Sequence, residues 1–499
     1  FCSGATSFDF SHDKIRDVAY DELSPMKQRY WHLRIAEALE ASCATNLEPV
    51  AAQLAAHYEQ AGEAVRAISY YQSAAEVAQG MYAYEEAVGL LRRGLGLLDH
   101  VGDRARQDEL QLDLLRVLSL ALVATRGYGA HEVLDALSQA QALNSHLGKA
   151  PDSLLLRAAA IAALNTRNLQ LALEFGDQLL QLADQQSDPI LLVEGHYVIG
   201  VTLSWAGSFT RSHIHLEQAL AHYQPTHSST HIARHSQDPS VVCQCRLAFD
   251  LWCQGYPEQA RTAQHEGLAR AQALAHPFSL AYALVWGGML DGEIGNFESV
   301  LQSAEAVIAL SDQHHFGLWS SWATALRGWA LAESGHPEHG IAELQRGDER
   351  MRATGAVFLQ PFVSALLAEQ FAKVGDGERA LELLNEALTS TKNDPYWCDA
   401  ELHRLKGTLL AESHDTDQAE AAYRRAIQIA QKQQAKVFEL RATTSLAQLW
   451  LRQGRSAESV RLLAPAYGWF TEGLDMRDLK EARAVLEATE PNNMLVGRP

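Results

Sequence analysis

The chain of 499 residues carries 41 lysines and arginines against 61 aspartates and glutamates, a formal charge of −20. An apolar fraction of 47% beside 20% charged residues excludes wholesale disorder. The acidic balance argues against nucleic acid as a direct partner, because phosphate binding needs clustered Lys and Arg. The most apolar runs, Leu112–Ala124 and Ser153–Leu164, are interrupted by Arg116 and Arg157, so no membrane span is expected. Six unevenly spaced cysteines fit a reducing, cytoplasmic setting better than a disulfide framework. The chain opens on Phe1 without a signal peptide and reads as a piece of a longer protein.

From the front, residues 1–45 stand apart, because Phe8 to Glu40 do not share the periodicity of residues 46–490. His12, Ile15, Arg16 and Ala19 are spaced as one face of an amphipathic helix. Over residues 46–490 turn signals recur at Gly62, Tyr82, Gly127, Arg167, Gly207, Gly255, Gly295, Gly335, Gly375, His414 and Gly454. From Gly127 onward the step is about 40 residues, widened once by an insertion at His222–Ser240. Seven residues before the turn stand small side chains, among them Ala55, Gly200, Ala248, Gly328, Gly407 and Ala447. Five residues after it stand Ala67, Ser212, Ala260, Gly340, Ala419 and Ser459. Such columns let two antiparallel helices approach closely. Pro189, Pro277 and Pro395 are expected to open the next helix, where proline is tolerated. No alternating strand pattern occurs, no linker divides residues 46–490, and residues 491–499 are expected to fray.

The column pattern is the tetratricopeptide one, lengthened by about six residues over its usual 34. The expected fold is therefore all-α: a tetratricopeptide-like, right-handed superhelical solenoid of antiparallel helix pairs. In such an array the first helix of each pair lines a concave groove. Residues about 13, 10, 6 and 2–3 positions before each turn should project inward. They form an aromatic and acidic stripe, from which Tyr282, Trp322, Trp329, Phe362, Glu369, Glu401 and Arg404 are the candidate ligand-binding residues.

Phe10, His12, Ile15, Arg16, Ala19 and Tyr20 occupy a Phe-x-His-x-x-Ile-Arg-x-x-Ala-Tyr run. That run resembles the segment closing the nucleotide-binding and winged-helix module of bacterial STAND-class signal-transduction ATPases. Ala400–Gly407 and Pro465–Gly473 are similar to the C-terminal, MalT-like repeat region of the same proteins, which are fused to a class III nucleotide cyclase or a LuxR-type DNA-binding domain. The resemblance implies a sensor arm that binds a protein or small-molecule ligand in its groove and regulates its own upstream ATPase domain. ATP and Mg would belong to that missing domain. The alternative is a fragment of an enzyme whose cyclase or ATP-binding activity lies outside this chain.

Within the chain no catalytic constellation is found. The only Gly-Lys, Gly148-Lys149, is followed by Ala150 and lacks the rest of a phosphate loop. His131-Glu132 and His265-Glu266 lack a second histidine four residues after the first. His222, His227, His231 and His235, with Cys243, Cys245 and Cys253, have zinc-ligand chemistry but the wrong spacing. They are read as a solvated loop beside packed cysteines, with no metal and no cofactor held by this chain.

Overall fold

A turn that ends a helix needs a residue that accepts a left-handed backbone, and glycine does so without a Cβ clash. In the computed structural model, which describes Val18 and residues 20–489, all eleven expected turn positions have positive φ. The eight glycines lie between 70° and 93°, and Tyr82, Arg167 and His414 at 62°, 62° and 66°. Phe10, His12, Ile15, Arg16, Ala19 and the tail 491–499 lie outside the described residues. The described residues are all-helical: α-helices and three short 3-10 turns, without a strand. None of these helices is long and apolar enough to cross a membrane.

The chain parts into two compact units that no linker marks. One comprises the described residues up to Thr125 with Glu132–Leu155; the other comprises Arg126–His131 and everything from Leu156. In the first unit, helix Pro25–Ser42 is capped by Ser24 and packs Ala36 against Leu54, Ala55, Tyr58, Ala67 and Tyr71. Helix Pro25–Ser42, which falls within the stretch 1–45 read apart from the repeats, thus packs on the core of the first repeats. The Tyr58 and Tyr70 hydroxyls both donate to the Glu40 carboxylate on the same helix.

The second unit stacks helix pairs. Its first helices include Pro189–Trp205, Pro239–Cys253, Pro277–Ile294, Gly317–Glu333, Gln360–Lys373, Asp399–Glu412 and Lys436–Arg452, and Arg477–Thr489 closes the stack. The two small-residue columns meet at Gly200–Ser212, Gly328–Gly340, Gly407–Ala419 and Ala447–Ser459. A Cβ added to Gly328 would fall 2.7 Å from the Gly340 carbonyl oxygen, and one on Gly340 would fall 2.5 Å from that of Gly328. Where a serine replaces the second small residue its hydroxyl bonds the facing backbone: Ser212 donates to the Gly200 carbonyl at 2.8 Å and Ser459 to that of Ala447 at 3.0 Å.

Pro189 and Pro277 begin helices as expected, behind the caps Asp188 and His276. Pro395 does not: its helix starts at Asp399. The intervening Tyr396 and Trp397 are buried. The Asp399 carboxylate accepts the Tyr396 amide at 2.9 Å, and the Trp397 amide donates to the Trp205 carbonyl at 3.0 Å. With its backbone groups satisfied in the interior, this loop turns inward before the helix can begin. The insertion after His222 forms a 3-10 turn, Pro225–His227, and a short helix, Ser228–His235.

Candidate functional site

The first helices of the second unit carry the aromatic stripe, and it divides into a filled part and an open part. In the filled part the fully buried Arg246 guanidinium lies 3.9 Å from the Trp286 ring centre and 4.7 Å from that of Trp205. Arg246 donates to the Ser204 hydroxyl, which donates to Asp250. Trp286 packs edge-on against Trp322 at 5.0 Å, and Tyr282 against Trp319 at 5.5 Å. Phe358 closes on Trp205 and Trp322 from a loop anchored by the Val357 amide on the Asn165 carbonyl. Tyr282 and Trp322, 6% and 1% exposed, therefore pack among these rings and do not line the cavity described next, although Trp329 and Phe362, which do line it, are as buried at 5% and 4%.

The open part is a cavity of about 220 Å³ whose lining includes Trp329, Phe362, Glu369, Glu401 and Arg404. One turn of helix Asp399–Glu412 brings Glu401 and Arg404 together in a forked pair, with N–H···O distances of 2.9 and 2.6 Å. Burial would raise the Glu401 carboxyl, but the Arg404 charge and hydrogen bonds outweigh it and hold it below the usual carboxylate range. Deeper in, Arg441 is clamped between Glu293 at 2.8 Å and Asp478 at 2.9 Å, with its guanidinium 5.2 Å from the Trp252 ring centre. Here burial wins at Glu293 and pushes its carboxyl up against the pull of Arg441. At one edge Glu333 accepts from Gln370 at 2.7 Å and from Lys373, whose ammonium also lies 3.3 Å from Glu369. Thr444 lines the cavity at 5% exposure, and its hydroxyl has no hydrogen-bond partner among the described residues.

Sequence reasoning missed Arg441, Asp478 and Thr444. Arg441 stands thirteen residues before Gly454, the offset Glu401 has before His414, so extending the same count by one repeat finds it. Asp478 comes from the closing helix, beyond the last turn, and no repeat offset reaches it. Trp397 and Phe438, which also line the cavity, come from a loop and from the start of a helix.

Of the insertion's histidines, His222 is exposed and His227 half-buried, as a solvated loop would have them, whereas His231 and His235 are buried on the short helix Ser228–His235. His231 and Arg157 both reach the buried Glu194 carboxylate, at 2.7 and 3.1 Å, and Arg157 donates further to the Tyr128 hydroxyl and to Gln237. Cys243, Cys245 and Cys253 are buried free thiols in helix Pro239–Cys253. Among the described residues no group of three or more His, Cys, Asp or Glu is placed to hold a metal.

No family model matches the chain. An uncharacterised protein of Rhizobium meliloti is 22% identical over 456 residues, 91% of this chain and 44% of that protein. The chain thus spans less than half the length of this relative. Among solved structures, a Rap protein complexed with Competence and Sporulation Factor is similar at a TM-score of 0.54 and 14% identity, over 74% of this chain and 99% of the other. Cut9 with Hcn1, a hetero-tetramer of the APC/C, is similar at a TM-score of 0.47 and 14% identity, over 93% of this chain and 96% of that one. At such identity the likeness to the Rap protein speaks for the fold alone, an all-helical solenoid of tetratricopeptide-like repeats.

Proposed function

We propose that the second unit is a non-catalytic interaction arm that holds a segment of a partner in the cavity between Trp329 and Arg441. The observation that carries this reading is the cavity's makeup: aromatic walls, ion pairs fixed by internal hydrogen bonds, and a buried Thr444 hydroxyl with nothing to bond. Aromatic surface supplies burial, and the few fixed polar groups supply orientation. The Rap protein was solved with a factor bound, which is in keeping with an arm of this fold carrying a ligand. In the wider proposal the chain is the sensor arm of a cytoplasmic STAND-type ATPase. Ligand binding would favour one arrangement of arm and upstream nucleotide switch, with ATP and Mg held by the upstream domain. The N-terminal run ending at Tyr20 and the 44% share of the Rhizobium relative support a longer parent.

The test is selection of a random octapeptide display library on the immobilised 499-residue chain, followed by titration of the Thr444→Val variant. Valine keeps the shape and removes a hydroxyl without a hydrogen-bond partner among the described residues, so stability should hold or rise. Affinity for the selected peptide should fall about tenfold if that hydroxyl meets the ligand. Unchanged affinity for every selected peptide would place binding elsewhere.

A further inference from the structure

We infer that the occupant of this cavity presents a cation: an extended peptide segment with an arginine or lysine side chain, whose charged end displaces Lys373 from between Glu333 and Glu369 and settles against Trp329 and Phe362. The inference rests on the partner-binding reading and adds to it the chemical class of the ligand.

Charge is the first ground. Seven carboxylates and four arginines line the cavity. The two deepest arginines are committed, Arg441 to Glu293 and Asp478 and Arg404 to Glu401. At the rim, Glu412 and Arg452 make no ion pair among the described residues, and Glu333 and Glu369 share one lysine. A second ground lies in the rings. Trp252 and Phe438 carry the Arg441 guanidinium, and Trp450 carries those of Arg424 and Arg455. Trp329 and Phe362 line the cavity at 5% and 4% exposure, and among the described residues no Lys or Arg lies over either ring, although a ring beside carboxylates attracts a cation.

Lys373 shows what such a cation would do, because its ammonium already bridges the two carboxylates. Its side chain is 44% exposed, and pairs at that exposure are weak and give way to water or a competitor. A ligand cation that also covers an aromatic ring loses less to solvent and wins the exchange. The third ground is independent of charge: Thr444, more than nine-tenths buried with an unpartnered hydroxyl, offers a hydrogen bond to the backbone of an extended peptide.

Octapeptides selected on the full chain should be enriched in arginine or lysine, and replacing that residue by citrulline should weaken binding at least tenfold. Lys373→Met should tighten binding of the basic peptide threefold or more by vacating the bridge. Glu369→Gln should weaken it threefold or more while the helical circular-dichroism signal and melting temperature stay at the wild-type values. Peptides that respond to Thr444→Val yet bind equally well as citrulline forms would overturn the cationic class and leave the cavity reading standing. Weaker binding by Lys373→Met would overturn the displacement. Failure to select any peptide would overturn both readings.

Discussion

The Trp397 amide donates to the Trp205 carbonyl oxygen at 3.0 Å, tying a loop near the end of the second unit to a helix near its beginning. That bond sets the Trp397 side chain between the filled aromatic interior and the cavity. Its ring lies 4.9 Å from Phe249 on one side and 5.2 and 5.9 Å from Phe362 and Phe438 on the other. The tryptophan therefore acts as a wall that keeps the cavity a bounded site.

Trp397→Ala should lower stability by about 3–5 kcal/mol, the usual cost of emptying a buried aromatic site. Urea unfolding followed by circular dichroism reads the change. A loss below about 1 kcal/mol would mean that the loop does not hold the interior together.

Arg441→Met should cost about 3–5 kcal/mol at neutral pH, because it leaves Glu293 and Asp478 buried without their cation. Protonating Glu293, whose carboxyl burial already pushes up, relieves part of the penalty, so the gap between variant and wild type should narrow as the pH falls. A constant gap would show that the loss comes from packing alone.

Two substitutions test the helix-pair geometry from opposite sides. Gly340→Ala forces a methyl into the Gly328 backbone and should cost about 1–3 kcal/mol. His414→Gly removes a Cβ from a left-handed turn at φ 66° and should stabilise by about 0.5–1 kcal/mol. Thermal melts of both reveal whether the repeat columns carry the strain and closeness assigned to them; a neutral Gly340→Ala would contradict the close approach.

Acid should destabilise the protein through its buried histidines, an effect partly offset by Asp250, whose carboxyl burial pushes up to about 6. Burial drives His235 down to about 3 and His276 to about 4, against about 6.5 in an unfolded chain. Glu194 pulls His235 upward and Asp238 does the same for His276, without overcoming burial. Between those values the unfolded chain binds more protons, so stability is full above about pH 6.5 and falls toward pH 4. The slope is up to about 1.4 kcal/mol per pH unit for each histidine. His276→Asn retains a capping acceptor and should flatten the profile; a stability independent of pH from 7 to 4.5 would contradict the assignment.

The turns and small-residue columns were legible in the sequence because each answers a local demand. A left-handed turn wants glycine, and a close helix pair wants a small side chain. Gly328 and Gly340 answer to each other within one helix pair, and each turn position answers first to its own left-handed backbone, although Gly207 and Gly255 are also crowded by Gln433 and Trp469. The fate of the aromatic stripe was not legible, because Tyr282 and Trp322 stand at the same offsets as residues of the open cavity. What separates them is the pair of loops carrying Phe358 and Trp397, whose inward course depends on bonds to Asn165 and Trp205, far away in sequence. Asp478 escaped for a related reason: it meets Arg441 from a closing helix that obeys no repeat rule.

Amide hydrogen exchange on the full chain, with and without a library-selected peptide at saturation, tests the central claim most directly. Binding in the cavity predicts slower exchange concentrated in helices Gly317–Glu333, Gln360–Lys373, Asp399–Glu412 and Lys436–Arg452. The helices of the first unit should keep their rates. Protection confined to the first unit, or to the outward second helices of the pairs, would contradict the account.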